Sequence, residues 1–433
     1  MPESPHGARS LYVHVPFCAQ KCAYCAFYSE PSVDSLRNRY TDALIRELEC
    51  VAADLRPQTI FFGGGTPSLL NLRQWERILR ALERLNLLGA KEFTVECNPA
   101  TVSSDKAKLL RAFGVNRVSL GIQSLDQRLL ERLGRIHTRE MVFKSVAVLR
   151  GAGFDNLNLD LMFAIPGQTM ETWQKTLSDA LAFGSEHLSC YEVIYEEDTP
   201  LFAQLQAGEF DADEDLACAM YEELIERATA AGFHQYEVAN FARDSRGTGV
   251  LECWSAGELD LQCRRNTPTP PNPRALKLSN SPTPTLHHST TPPLQSLIPA
   301  FACRHNVNYW RGGSYYGLGP SATSYVRGVR TKNWSNTQLY CEQLEQGKRA
   351  VESREELPPL ARAGETAAFG LRMVAGWPFA EFRQTTGYDL RREWAAEMNQ
   401  LSERGWGCVQ PDGFQLTPQG LRFADAAAEL FLR

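Results

Sequence analysis

The chain lacks any apolar run approaching the roughly 18 residues that a bilayer span requires. It also lacks a leader-like start, because residues 1–9 (Met-Pro-Glu-Ser-Pro-His-Gly-Ala-Arg) carry no apolar core. Both absences predict a cytoplasmic protein that is not transmembrane. Positive charge is not in excess: 45 Lys and Arg stand against 51 Asp and Glu, a net charge of −6, which offers nucleic acid no electrostatic invitation. No GxGxxG opens the first strand–helix turn, which argues against a dinucleotide-binding sheet. Length is ample, since 433 residues suffice for two or three domains with a large core. Cysteine is ample too, with twelve residues, and in a long chain without a leader clustered thiols read as metal ligands rather than disulfides. Nine of the twelve are scattered (Cys50, Cys97, Cys190, Cys218, Cys253, Cys263, Cys303, Cys341 and Cys408), and most of these read as small buried hydrophobes.

The other three lie together. Tyr12-Val13-His14-Val15-Pro16-Phe17 reads as a short strand, and Cys18, Cys22 and Cys25 follow it at CxxxCxxC spacing. Three thiolates on one loop can hold three irons of a cubane 4Fe-4S cluster and leave the fourth iron open. Structural zinc asks for four protein ligands, and no fourth Cys or His follows within the loop. The spacing resembles the signature of the radical S-adenosylmethionine (SAM) superfamily. That resemblance implies SAM on the open iron, chelated through its amino and carboxylate groups.

After the loop the hydrophobic period alternates. A helix is expected from Asp34, its cap, to about Leu55, with Leu36, Tyr40, Leu44, Leu48 and Val51 on one face. Strands are expected at 59–62, 92–96, 117–121, 156–162 and 187–191, with helices near 71–85, 103–113, 139–150 and 170–183 between them. Six strand–helix units imply a parallel sheet with helices outside it. The fold predicted is α/β, an incomplete (β/α)6 barrel. Its motif residues fall at strand C-termini, where barrels place their chemistry.

Gly63-Gly64-Gly65-Thr66-Pro67-Ser68 follows the 59–62 strand, and three glycines in a row allow a ligand to approach the backbone closely and offer it unobstructed N–H and C=O groups. Further motifs follow in order: Glu96-Cys97-Asn98-Pro99, Gly121-Ile122-Gln123-Ser124, Leu133-Gly134-Arg135-Ile136-His137, and Asp160 to Thr169. Together they resemble the oxygen-independent coproporphyrinogen III oxidase superfamily across residues 11–243 and 303–433. The resemblance implies SAM contacts from Tyr12, Gly64, Gly65, Thr66, Glu96, Gln123, Arg135 and Asp160, with Tyr24 beside the cluster. Side-chain chemistry agrees. Carboxylates such as Glu96 and Asp160 accept from ribose hydroxyls or an ammonium, Arg135 offers a planar fork to a carboxylate, and Gln123 both donates and accepts.

One position departs from the oxidases. They resemble CxxxCxxCxC, whereas here Phe27 replaces the last Cys. The Cys-x-Phe form resembles the haem chaperone branch, HemW, as does His305-Asn306-Val307-Asn308-Tyr309-Trp310, an HNxxYW motif. The resemblance implies a protein that binds haem and a SAM-ligated cluster and passes haem to an acceptor protein, and His305 is a candidate axial ligand. The alternative is the oxidase itself, a coproporphyrinogen dehydrogenase-like oxidoreductase. It would decarboxylate coproporphyrinogen III with a 5′-deoxyadenosyl radical formed when an electron donor supplies one electron through the cluster. A radical SAM enzyme acting on another substrate is a further alternative, since function belongs to sites rather than folds.

Residues 214–231 read as a helix and 236–242 as a strand. From 244 to 301 the composition changes, with nine of the 24 prolines between Pro268 and Pro299. Prolines that dense block helix and ladder alike, so a low-complexity, disordered insert is expected, and His287, His288, Cys253 and Cys263 within it are not taken as metal ligands. The domains expected are therefore 1–243 for the barrel and its following segment, 244–301 for the insert, 302–354 for an HNxxYW and glycine-rich haem-side segment, and 355–433 for a smaller α+β winged-helix-like domain. That last domain is read as helices at 362–374, 389–403 and 418–432 with a hairpin at Val409–Leu416 turning on Pro411-Asp412-Gly413. From Ala380 to Arg433 six Arg and no Lys face eight Asp and Glu, which argues for a lid or protein-facing module rather than a DNA reader.

Overall fold

Buried-on-both-faces strands alternate with capped helices through the first half of the chain. The computed structural model describes residues 8–31, 33–244 and 298–433. Six parallel strands form its centre: β1 (Ala8–Val15), β2 (Leu55–Gly64), β3 (Glu92–Cys97), β4 (Arg117–Gln123), β5 (Leu157–Phe163) and β6 (His187–Glu192). They pair in sequence order, each with the next. This is the incomplete (β/α)6 barrel. Among the described residues its edges do not meet, for β1 and β6 each pair outward with other strands. Helices α1 (Asp34–Val51), α2 (Leu72–Arg84), α3 (Ser104–Ala112), α5 (Arg139–Gly151) and α6 (Met170–Ala182) cover the outside, and short α4 (Gln127–Arg132) follows β4. Most start on a side-chain cap, with Asn71 and Gln74 forming a reciprocal capping box and Thr138 and Thr169 capping α5 and α6. Asp34 does not cap α1. It lies in the first turn, Val33 takes the cap position, and the Asp34 carboxylate pairs with Arg37. The helix also stops at Val51, because β2 begins at Leu55, earlier than the apolar run suggested.

Two features extend the sheet beyond the six units. The strand expected at 236–242 is split into β7 (His234–Gln235) and β8 (Asn240–Ala242), which runs antiparallel to β6. Residues 236–239 leave the sheet and bind the C-terminal region, where Val238 N–H donates to Arg372 O at 3.1 Å and Val374 N–H to Tyr236 O at 3.0 Å. On the other edge, β9 (Tyr315–Leu318) lies parallel to β1 and leads into an antiparallel set, β10 (Thr323–Val326), β11 (Val329–Asn333) and β12 (Val351–Glu356). The HNxxYW motif forms helix α7 (Arg304–Trp310).

Most of the expected insert, residues 245–297 with Cys253, Cys263, His287 and His288, lies outside the described residues. Its C-terminal margin does not. Phe301 N–H donates to Arg243 O at 3.1 Å and Ala300 N–H to Asp244 Oδ1 at 3.2 Å, while Ile298 and Phe301 pack near Tyr236, Ala242 and Met373. The C-terminal region has its own core around Trp377, Phe382, Trp394, Phe414 and Phe431. Helices Pro359–Gly370, Phe379–Thr386 and Ala395–Glu403 pack there with a three-stranded sheet containing the expected hairpin, Gly407–Val409 with Gly413–Leu416. The helix read over 389–403 is interrupted at Trp394, and that over 418–432 at Phe423. No helix among the described residues is long and apolar enough to cross a membrane.

Candidate functional site

Parallel strands deliver their C-terminal ends to one side, and the cysteine loop is tied down there. Phe17–Cys18 pairs with Glu30–Pro31, and Glu30 N–H donates to Pro16 O at 2.8 Å, so the loop leaves and returns beside the end of β1. Its middle is clamped at Ala23, whose N–H donates to Leu133 O at 3.0 Å and whose carbonyl accepts from Leu201 N–H at 2.9 Å. His14 pins the exit. Its Nε2 bonds the Tyr28 carbonyl at 2.8 Å, and since a carbonyl only accepts, that nitrogen carries the proton and Nδ1 accepts from Tyr12 O–H at 3.1 Å. Burial lowers the His14 pKa, which keeps the ring in this neutral form.

Above the strand ends lies a cavity of about 540 Å³. Eleven of the thirteen residues singled out in the sequence line it: Cys18, Cys22, Cys25, Tyr24, Gly64, Gly65, Thr66, Glu96, Gln123, Arg135 and Asp160. Glycine is required at the turn after β2. A Cβ on Gly64, whose φ is +102°, would lie 2.4 Å from the His14 ring, and one on Gly65 would lie 2.7 Å from Val15 O and 2.8 Å from Phe17 O. The N–H groups here are already used, by Glu96 Oε2 for Gly64, Val15 O for Gly65 and Phe17 O for Thr66. The expectation of unobstructed N–H groups is thereby corrected. A ligand meets no free N–H of these three residues, which suits a cationic group better than an anion. A register shift between Gly121 and Gln123, with Gln123 at φ +59°, ends β4 and sends that side chain into the cavity.

The floor is acidic. Burial, and then the neighbouring Asp160 charge, push the Glu96 carboxyl up to about 8. Burial raises Asp160 as well, against bonds from Ser119 Oγ at 3.0 Å and Asn158 Nδ2 at 2.7 Å. Two desolvated carboxyl groups so close together favour a ligand that brings positive charge or hydroxyl donors. Nearer the thiols, Arg135 donates to Gly121 O at 2.6 Å and to Cys22 Sγ at 3.6 Å, and its buried Nε has no partner. Cys18, Cys22 and Cys25 are free thiols, each part-exposed to the cavity. Among the described residues no group of three His, Cys, Asp or Glu side chains is set to hold a metal ion. A cubane cluster asks for something else, soft thiolates spread over its corners, and the donor set at this mouth is of that kind.

Two residues singled out in the sequence are not at the cavity wall. Tyr12 lies below it, with its ring 6.2 Å from Phe61 and 6.4 Å from His305, and burial followed by the Glu96 charge raises its hydroxyl pKa. His305 is 1% exposed and stacks on Phe61 at 5.1 Å. Its Nδ1 bonds Thr59 Oγ1 at 2.8 Å and its Nε2 bonds Tyr309 O–H at 2.7 Å. Both nitrogens are thus engaged, and burial followed by the Arg117 charge holds the ring neutral, down to about 3; axial haem ligation by His305, as read from the sequence, would require one of these bonds to be given up. The cavity also includes residues to which the sequence reading gave no contact role, among them Phe27, Ile136, Met162, Tyr191 and Ile194. Tyr191, the next-to-last residue of β6, was accessible to the strand-end rule; Ile194 lies in the loop beyond and carried no signal.

Comparison with known proteins finds two family models, several relatives and a shared fold. The Radical SAM superfamily matches residues 12–180, and the HemN C-terminal domain matches residues 357–423. A heme chaperone HemW from Lactococcus lactis is 29% identical over 98% of this chain and 97% of its own length. The HemW of Mycobacterium tuberculosis (strain CDC 1551 / Oshkosh) is 30% identical over 88% of this chain and 85% of its own. Among solved structures, the coproporphyrinogen III oxidase HemN of Escherichia coli superimposes with a TM-score of 0.76 at 20% identity, covering 99% of this chain and 91% of that one, which establishes the shared fold.

Proposed function

We propose, on the premise that this chain belongs to the radical SAM superfamily and within it to the heme chaperone HemW family, that it binds a 4Fe-4S cluster, SAM and haem and passes haem to an acceptor protein. The supporting observation is the convergence on one cavity of three free thiols, a paired carboxylate floor and a turn at Gly64, Gly65 and Thr66 whose N–H groups are already bonded. Cys18, Cys22 and Cys25 would hold the cluster. Glu96 and Asp160 would take the cationic and hydroxyl-bearing parts of SAM, and Gln123 and Arg135 its remaining polar groups. When bound, cluster and SAM supply a one-electron path, fed by an electron donor, that the chain's own side chains cannot provide. The protein's part is positional: the clamp at Ala23 and the His14–Tyr28 bond hold the thiol loop over the carboxylates before anything binds.

The oxidase reading draws on the shared HemN fold, and a fold does not carry function. Phe27 at the position of the oxidases' additional Cys favours the chaperone. Anaerobic reconstitution with haem and coproporphyrinogen III offered in parallel separates the two. The expected result is haem uptake with no decarboxylated product, and turnover of coproporphyrinogen III would overturn the chaperone reading. In the same preparation Cys22→Ser is expected to lose most cluster iron and absorbance, and a full cubane in that variant would remove the ligand assignment.

A further inference from the structure

Three large apolar side chains stand exposed around one opening. Phe27 is 70% exposed, Ile194 67% and Ile136 45%, and all three line the mouth of the cavity. They come from separate segments: the cysteine loop, the loop beyond β6, and the stretch after α4. One exposed apolar residue is ordinary on a protein surface, whereas several gathered around a single concave opening mark a binding site. Charge on the same rim is uneven. Exposed Lys21 belongs to the cysteine loop, while Glu192 and Glu196 flank Ile194.

We propose that this mouth is the seat of the tetrapyrrole, with Phe27, Ile136 and Ile194 against one face of a planar porphyrin dicarboxylate and its carboxylates turned toward Lys21. The inference rests on the haem-binding reading above and assigns it a place. A plate-shaped ligand can touch all three side chains at once and cover the polar floor. Repulsion by Glu192 and Glu196 gives a dianionic ring one preferred orientation. Phe27 thereby gains a positive role: where the oxidases resemble a cysteine, this chain presents an aromatic face beside Cys25.

The test is haem titration, followed by its Soret band, of the cluster-reconstituted, SAM-loaded full-length protein. Phe27→Asp and Ile194→Asp are expected to weaken haem binding by at least about tenfold. Lys21→Glu is expected to weaken it by a smaller factor. Iron content and SAM affinity serve as checks that each variant is intact. Val409→Asp, at a 50% exposed apolar position on the C-terminal hairpin, controls for surface charge and is expected to bind as wild type does. If wild type binds haem and both aspartate variants bind it within about twofold, the placement is wrong while the haem reading survives. If wild type takes up cluster and SAM but no haem, both fall.

Discussion

Burial and the Asp160 charge push the Glu96 carboxyl up to about 8, so the folded protein holds a proton there that the unfolded chain has released. The sign follows directly. Between the ordinary carboxylate range and the folded value the native state binds more protons, and stability falls as pH rises through that window. Glu96→Gln is neutral at every pH and can still accept the Gly64 N–H. Without SAM, the variant is expected to gain on the order of 2 kcal/mol over wild type between about pH 5 and pH 8, while losing SAM affinity. Denaturant melts at the two pH values check the first part, and a pH-independent difference would contradict it. Glu96 was legible in the sequence because a carboxylate at a strand end within a recognisable motif keeps its meaning in any fold of this type. The burial of His305 was not legible, because it is set by Thr59, Phe61 and Tyr309 meeting across the chain. The exposure of Phe27, Ile136 and Ile194 is likewise a tertiary property.

At the scale of the element, the turn after β2 joins the glycine run to the cysteine loop through one histidine. A methyl group on Gly64 would displace the His14 ring, and His14 Nε2 holds the Tyr28 carbonyl where the loop returns. Gly167 makes the natural control, because its φ of +83° is also left-handed but a Cβ there meets nothing within 4 Å. Gly167→Ala is expected to cost about 1 kcal/mol of backbone strain and leave SAM binding intact. Gly64→Ala is expected to cost roughly 1–3 kcal/mol more and to weaken SAM binding by about tenfold or greater. It should also speed amide exchange across residues 26–30. Equal costs and unchanged exchange in the two variants would break the proposed link through His14. The six central strands were readable because each is an apolar run bounded by turn residues and buried on both faces. Strands β10 and β11 escaped because Thr323–Val326 and Val329–Asn333 are mostly half-exposed and mixed in polarity, so neither period shows. The break at Trp394 escaped for a different reason, the bond from its Nε1–H to Phe431 O at 3.0 Å, a contact between distant positions.

Across the whole molecule, one edge of the sheet extends through β9 to β12, and the 236–239 segment ties the other edge to the C-terminal region. Near this tie lies the join at which residues 245–297 leave and return. Arg243 and Asp244 on one side bond Phe301 and Ala300 on the other at 3.1 and 3.2 Å, so the flanking backbone closes on itself through described residues alone. Closure entropy grows only slowly with loop length, and a long excursion between two apposed ends therefore costs little, while removing it returns little. Replacing residues 246–296 by a short Gly-Ser linker is expected to leave the stability unchanged or raise it by up to about 2 kcal/mol. Cluster iron and SAM affinity should remain at wild-type levels, since the cavity is built from residues 18–196. Melting, iron analysis and SAM titration of the excised protein check this together. A collapse in stability would mean that the excised residues contribute to the fold, and loss of SAM binding alone would tie them to the site.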